Sequence, residues 1–152
     1  MRMRIIAVGK LKENYIKEGI KDYLDRINRF HRMEIKEIKE SFNKGSQGIE
    51  EEGERICKVL DPAIFTIVLT PEGTRLTTEE LSKEMQGLMV QGQRGLDFVI
   101  GGHEGLALKV KQKANLCLSL SSLTFPYQLT RLILSEQIYR CLKIIRGEQY
   151  HR

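Results

Sequence analysis

Three short segments of the chain carry residue types from which a small-molecule site can be built. They are residues 69–73, 101–105 and 120–126, and each follows an apolar run. Glycine and small hydroxyl side chains leave backbone N–H and C=O groups open to close approach by a ligand. The glycines of a single loop need only make a turn, but three such loops after successive apolar runs favour a binding site.

The glycine spacing argues against several common ligands. Gly101-Gly102-x-x-Gly105 is not the Gly-x-Gly-x-x-Gly of dinucleotide sites, and the chain has no Gly-x-x-x-x-Gly-Lys-Ser/Thr phosphate loop. It also lacks the Gly-x-Ser-x-Gly elbow of esterases. Backbone-lined loops without a phosphate motif suit an adenine or a nucleoside held by main-chain hydrogen bonds.

The last three residues, Tyr150, His151 and Arg152, form a second candidate group. A terminal tripeptide is usually frayed. An aromatic ring, an imidazole and a guanidinium are also the groups that stack on a base and pair with a phosphate in RNA. The residue types leave both interpretations open. For His31 and His103, at a helix end and in a turn, a surface histidine is the simpler interpretation.

Composition and charge restrict the class of protein. The chain has 152 residues, 41% hydrophobic and 30% charged, which excludes a disordered chain and predicts one domain over residues 1–152. Its net charge of +5 is compatible with nucleic acid without requiring it. From residue 131 onward cations exceed anions: Arg131, Arg140, Lys143, Arg146 and Arg152 against Glu136 and Glu148.

Membrane and metal classes are also disfavoured. No apolar run approaches the about 18 residues that a membrane-spanning helix needs. The first apolar run meets Gly9-Lys10 in place of a cleavage site, so we expect a soluble, cytoplasmic protein. Cys57, Cys117 and Cys141 lie in apolar segments without a Cys-x-x-Cys pair, which predicts small buried hydrophobes and neither zinc nor disulfides.

The positioning elements follow from periodicity. Short apolar runs predict strands at 4–8, 33–38, 64–69, 97–100 and 116–120. Stripes of period 3.6 predict helices around 16–30, 49–60, 77–89 and 106–114, and after Pro126, with 43–48 as a polar loop. This alternation predicts an α/β fold with a mostly parallel sheet and helices on both faces. Ligands then bind at the carboxyl ends of the strands, where the three loops lie.

Four ordered motifs resemble one family over the whole chain. They are Phe98-Val99-Ile100-Gly101-Gly102-His103-Glu104-Gly105, the run from Leu118 to Leu129, Glu136-Gln137-x-Tyr139-Arg140, and the closing Gly147-x-x-Tyr150-His151-Arg152. The chain is similar to the ribosomal large-subunit pseudouridine N3-methyltransferases of the trefoil-knotted SPOUT class. The resemblance implies a C-terminal knot, a homodimer and S-adenosylmethionine as methyl donor. The implied substrate is N3 of a pseudouridine in 23S rRNA on assembled 70S ribosomes, with no metal and no membrane.

The resemblance also implies roles for individual residues. The cofactor-binding residues would be Leu69, Gly101, Leu120, Ser121, Ser122, Leu123, Thr124 and Phe125. Tyr150, His151 and Arg152 would lie at the target base across the dimer, with His151 as the base and Arg152 or Arg131 steadying the developing negative charge. Arg131 and Arg140 are further candidates for RNA phosphate or for dimer packing.

This sequence departs from the family pattern at Thr70, Tyr127 and Gln149. The pattern usually has an aspartate, a histidine and a small residue or proline there, which puts a carboxylate role at residue 70 in doubt. Two other functions stay open: a knotted methyltransferase that acts on tRNA, and a non-catalytic ribosome-binding module.

Overall fold

The computed structural model describes residues 1–150, in which strands and helices alternate along the chain. The strands are β1 (Arg2–Val8), β2 (Arg32–Ile38), β3 (Phe65–Arg75), β4 (Gly95–Ile100) and β5 (Leu116–Ser119). The helices are α1 (Asn14–Ile27), α2 (Gly45–Val59), α3 (Thr78–Val90), α4 (Leu108–Lys111) and α5 (Tyr127–Ile145). None of these helices is long and apolar enough to span a bilayer.

The strands form one sheet in the order β2-β1-β4-β3-β5. Every pairing in it is parallel, which confirms the predicted sheet. β4 lies at the centre and is buried over its whole length, in keeping with its continuous apolar sequence. β2, whose isoleucines alternate with charges, lies at one edge.

Helices cover both faces of the sheet, as predicted. Successive strand residues point to opposite faces. Ile5 and Phe98 therefore share one core with residues of α1, α3 and α5, whereas Ile6 and Val99 share the other with residues of α2 and α4. One face of the sheet thus packs against three helices and the other face against two, with an apolar layer on each side.

Several element boundaries differ from the predicted ones. α2 begins at Gly45, inside the segment predicted as a loop. The prediction missed this start because the first turn is polar and the apolar stripe begins only at Ile49. α4 is four residues long, shorter than predicted, and ends in tight turns such as that from Lys113 N–H to Val110 O. β3 continues to Arg75 through an irregularity in its pairing with β5.

A capping box begins α3, as the Thr-x-x-Glu spacing of Thr77 and Glu80 indicates in the sequence. The Thr77 hydroxyl accepts from Glu80 N–H at 3.2 Å. Of the three cysteines predicted to be buried, Cys141 is buried, whereas Cys57 and Cys117 are half-buried; burial raises the pKa of Cys141 to about 12. That thiol stays protonated near neutral pH and packs as an apolar group.

The predicted role of Arg131 in binding RNA, stabilising charge or packing against a dimer partner is wrong. Its side chain in α5 is completely buried, so it is not available to RNA phosphate, to a developing charge on the substrate or to a dimer partner. Its guanidinium donates to the carbonyl oxygens of Val8 and Gly9 at 2.7 Å each, and to Glu37 Oε1 at 3.1 Å. Burial lowers the pKa of Arg131, and the Glu37 carboxylate acts in the opposite direction. Arg131 therefore joins α5 to the ends of β1 and β2.

We expect Arg131→Met to lower the free energy of unfolding by about 2–4 kcal/mol, because two buried carbonyls lose their donor. Urea denaturation of the wild type and the variant measures this. Lys21→Met is the matched control, since Lys21 pairs with Asp25 on the exposed side of α1 and should contribute under about 0.5 kcal/mol. Equal losses in the two variants would contradict a structural role for Arg131.

Candidate functional site

A cavity of about 370 Å³ lies at the carboxyl ends of β4, β3 and β5. β3 is a sheet neighbour of both β4 and β5, so its irregular segment 69–75, predicted as a loop, meets the loops that follow β4 and β5 around one space. The lining includes all eight residues predicted to bind a cofactor: Leu69, Gly101, Leu120, Ser121, Ser122, Leu123, Thr124 and Phe125. The volume falls in the range of sites that enclose a small organic ligand.

The β3 side of the cavity is shaped by a break in strand pairing. The register between β3 and β5 shifts between Leu69 and Thr74. Gly73 packs so closely on β5 that an added Cβ would lie 2.7 Å from the carbonyl carbon of Leu118. The hydroxyl of Thr70 lines the cavity, is buried, and has no hydrogen bond of standard geometry among residues 1–150, although it lies near enough to Glu72 to help lower the pKa of that carboxylate. This hydroxyl is suited to a polar atom of a ligand.

The β4 side is formed by a tight glycine turn. Gly102 and Gly105 form an antiparallel bridge, and Gly105 has a φ of +99°, which favours glycine. A Cβ on Gly101 would lie 2.7 Å from Leu106 Cγ and 2.9 Å from Gly105 O. The turn therefore has no room for a side chain at residue 101.

On the β5 side, serine hydroxyls form hydrogen bonds to main-chain groups two residues further along the chain. Ser119 Oγ donates to Ser121 O at 3.1 Å, and Ser121 Oγ accepts from Leu123 N–H at 3.0 Å. Leu123 remains 73% exposed, which leaves a large apolar side chain in solvent at the mouth of the cavity. Leu120, Ser121 and Phe125 also line a second cavity on the side of α3 and α5.

The structure adds lining residues that sequence reasoning did not assign to the site: His103, Lys111, Tyr127 and Thr130. His103 is exposed, in keeping with the simpler interpretation of a turn histidine. Lys111 pairs with Glu72 at 2.5 Å and lowers the pKa of that carboxylate. Tyr127 and Thr130 belong to the first turn of α5, so they reach the cavity through the packing of that helix, which periodicity alone does not reveal.

Tyr150 lies away from this cavity. Its ring packs edge-on against Tyr139 at 4.9 Å and beneath the guanidinium of Arg140 at 4.8 Å. Burial, followed by Tyr23 and Glu136, raises the pKa of Tyr150 to about 12, so the phenol stays protonated at neutral pH. His151 and Arg152, the other predicted catalytic residues, lie outside the described residues.

Arg140 is held within its own helix. Its guanidinium donates twice to Glu136 Oε1, at 2.9 and 2.5 Å, and the two residues are four positions apart on the same helical face. The Glu136 pair raises the pKa of Arg140. Its side chain retains 24% exposure, so one face is open to a partner. Among residues 1–150 no cluster of His, Cys, Asp or Glu is arranged to bind a metal ion.

We expect Gly101→Ala to weaken binding of S-adenosylmethionine, the cofactor that the sequence resemblance implies, by about tenfold or more, because the new methyl group overlaps Leu106 and Gly105 and displaces the turn. Isothermal titration calorimetry measures the dissociation constant. Gly87→Ala is the control: a Cβ there meets nothing within 4 Å, and the change stabilises an α3 turn by about 0.5–1 kcal/mol. Unaltered affinity in Gly101→Ala would show that this turn does not bind the cofactor.

Comparison with known proteins identifies the family. Residues 1–151 match the family described as "Predicted SPOUT methyltransferase". The chain is 45% identical to the ribosomal RNA large subunit methyltransferase H of Streptococcus gordonii and 43% identical to that of Acetivibrio thermocellus, over the full length of both chains in each comparison. The same-named protein of Desulforamulus reducens is 42% identical over all of this chain and 99% of its own. With three loops meeting around one cavity and matches that run from end to end, the chain belongs to the SPOUT methyltransferase family.

Proposed function

We propose that this protein transfers a methyl group from S-adenosylmethionine to N3 of a pseudouridine in 23S rRNA, on the assembled 70S ribosome. The observation that carries the proposal is the cavity where the loops after β3, β4 and β5 meet. The names of the relatives specify ribosomal RNA of the large subunit. We further propose that residues 1–152 act as one domain with a C-terminal trefoil knot, in the cytoplasm.

The residues present fit the proposed cofactor. Main-chain groups of Leu69, Gly101 and the segment 120–125 face the cavity, where an adenine can be held without charged side chains. The buried Thr70 hydroxyl lacks a partner among the described residues and offers one further hydrogen bond. Where the family pattern usually has the carboxylate of an aspartate, Thr70 therefore offers a neutral hydroxyl that can both donate and accept a hydrogen bond. When bound, S-adenosylmethionine supplies an electrophilic methyl group on a sulfonium sulfur.

The protein must also remove the N3 proton of the target base. An imide nitrogen is weakly acidic, so its attack on the methyl group needs a positioned base or a cation that favours the anion. His151 is the proposed base, and Arg152 the proposed cation, because Arg131 is buried in the core. Tyr150 is the residue before them, and its ring is fixed between Tyr139 and Arg140.

In our proposal a homodimer brings the cavity of one chain and the terminal residues 150–152 of the other together. Tyr127 lines the cavity, whereas Tyr150 contacts Glu136 and Arg140 of the same helix. At 1.5 Å per residue these contacts lie about 14 to 20 Å further along α5. A tail held there cannot readily serve the cavity of its own chain. We propose that it serves the cavity of a second copy, with Arg140 available to the RNA or to the dimer interface.

Methyl transfer to isolated ribosomes tests the function. Labelled S-adenosylmethionine is given to 70S ribosomes from cells lacking this protein, with free 50S subunits, naked 23S rRNA and bulk tRNA alongside. We expect label on 70S ribosomes at a single pseudouridine. Label on tRNA alone would retain the enzyme and reject the substrate. Cofactor binding without any transfer would indicate a non-catalytic binding module.

We expect His151→Ala to lower kcat on ribosomes by about 10²–10⁴-fold, as for loss of a general base. The affinity for S-adenosylmethionine should stay at the wild-type value, because the cavity is lined by other segments. Gln149→Ala is the control in the same tail and should retain the wild-type kcat. A wild-type rate in His151→Ala with unchanged ribosome binding would exclude His151 as the base.

A further inference from the structure

Three arginines lie at the amino-terminal ends of adjacent strands, at the end of the sheet opposite the cavity. Arg2 and Arg32 are register partners at the start of β1 and β2. On the other side of β1, Arg2 N–H donates to Arg94 O at 3.2 Å, just before β4 begins. Gly95, rather than Arg94, is the register partner of Arg2, so Arg94 lies one residue before that position. The three arginines therefore lie at the amino-terminal ends of three adjacent strands, which are spaced about 4.8 Å apart. We call these three residues the arginine row.

The arginine row has no internal counter-charge. All three residues are exposed, and none makes an ion pair or a side-chain hydrogen bond within residues 1–150. Arg4, two residues further along β1, pairs instead with Asp97 at 2.5 Å. The nearby carboxylates Glu34 and Asp61 act on Arg4 and raise its pKa together with Asp97. Three exposed cations at one end of the sheet, without an ion-pair partner among residues 1–150, favour an external anion.

The amino terminus of Met1 and Arg146 extend the positive charge at the same end of the sheet. Both act on His31, which precedes Arg32, and together with burial, the larger cause, they lower the pKa of this histidine. The guanidinium of Arg146 lies 4.8 Å from the centre of the Phe30 ring. Glu148 is the acidic group here, and it is already engaged by Lys143 and Arg146.

The end of α5 lies on this side of the molecule. α5 starts at Tyr127 beside the cavity, and its last turn brings Lys143 and Arg146 to Phe30, close to the start of β2. Tyr150, the last described residue, packs on Tyr139, which Lys143 also contacts. A homodimer that places the tail at the cavity of the partner would also bring the arginine row near it.

We propose that the arginine row binds the phosphate backbone of the RNA substrate next to the target nucleotide. The inference rests on the proposed function, which supplies a polyanion at the tail. Guanidinium groups bind phosphate oxygens in bidentate fashion, and a row spanning three strands can contact successive phosphates. Such contacts position the RNA without reading its sequence. RNA is favoured over an acidic protein surface because its charge is regularly spaced along one strand.

Charge removal tests the arginine row. The test variant is R2Q/R32Q/R94Q, and R2K/R32K/R94K keeps the charge. The matched control is K17Q/K36Q/K83Q, which removes three exposed cations that lie elsewhere on the surface and form no ion pair among residues 1–150. Dissociation constants for 70S ribosomes and for naked 23S rRNA are measured between about 50 and 200 mM salt. S-adenosylmethionine affinity and ribosome KM and kcat are measured alongside.

We expect the glutamine variant to bind ribosomes about 10- to 100-fold more weakly and to lose about 2–3 from the slope of log affinity against log salt. KM for ribosomes should rise in step, while S-adenosylmethionine affinity and saturating kcat stay unchanged. The lysine variant should bind within about threefold of the wild type, since it keeps the charges. The control variant should keep the wild-type salt slope.

The outcomes separate this proposal from the proposed function. Wild-type affinity and slope in the glutamine variant, with normal methyl transfer, would overturn the arginine row and leave the function intact. Absence of methyl transfer by the wild type would reject the function, and the binding constants would still decide whether the arginine row contacts RNA. Loss of ribosome affinity with unchanged binding to naked 23S rRNA would overturn the proposal in favour of an acidic ribosomal protein.

Discussion

The buried guanidinium of Arg131 is the contact on which the arrangement of the site depends. It joins α5 to the last residues of β1 and β2 through Val8, Gly9 and Glu37. An arginine in the interior is unfavourable unless its donors are satisfied, and here two backbone carbonyls and one carboxylate satisfy them. Of the guanidinium nitrogens of Arg131, only Nε has no hydrogen-bond partner among the described residues. α5 is therefore fixed in position at the carboxyl end of the sheet.

The position of α5 affects both candidate functional regions. The segment 120–125 leads directly into its first turn, where Tyr127 and Thr130 complete the wall of the cavity. Near its far end, Tyr139 and Arg140 hold Tyr150. One helix thus separates the cavity from the tail by several turns. This separation is the physical reason for our proposal that the reaction uses two copies of the chain.

The charge distribution follows the same division. The lining of the cavity includes two cations, Lys111, which is paired with Glu72, and the exposed Arg75. The opposite end of the sheet carries the exposed Arg2, Arg32 and Arg94. A glycine-rich cavity suits a small cofactor held by main-chain groups, and a cationic end suits a polyanion. The two ends of the sheet therefore have complementary tasks in the proposed reaction.

Sequence by itself determined the features that depend on near neighbours in the chain. The 3.6-residue stripes, the five apolar runs and the Thr77–Glu80 capping box are local, and each appears in the structure. The three loops were also identified from sequence, because small residues after apolar runs have a local meaning. The first turn of α2 was missed, since its polar residues Gly45 to Gly48 have no apolar period.

Tertiary structure alone decided which loops meet and which charges are free. The order β4-β3-β5 does not follow chain order, yet it is what brings the three loops around one cavity. Arg131 and Arg140 look alike in sequence, but one is buried against residues more than a hundred positions away and the other pairs within its helix. The row of Arg32, Arg2 and Arg94 likewise exists only through strand register. Such contacts arise from packing between distant segments, which local residue patterns do not encode.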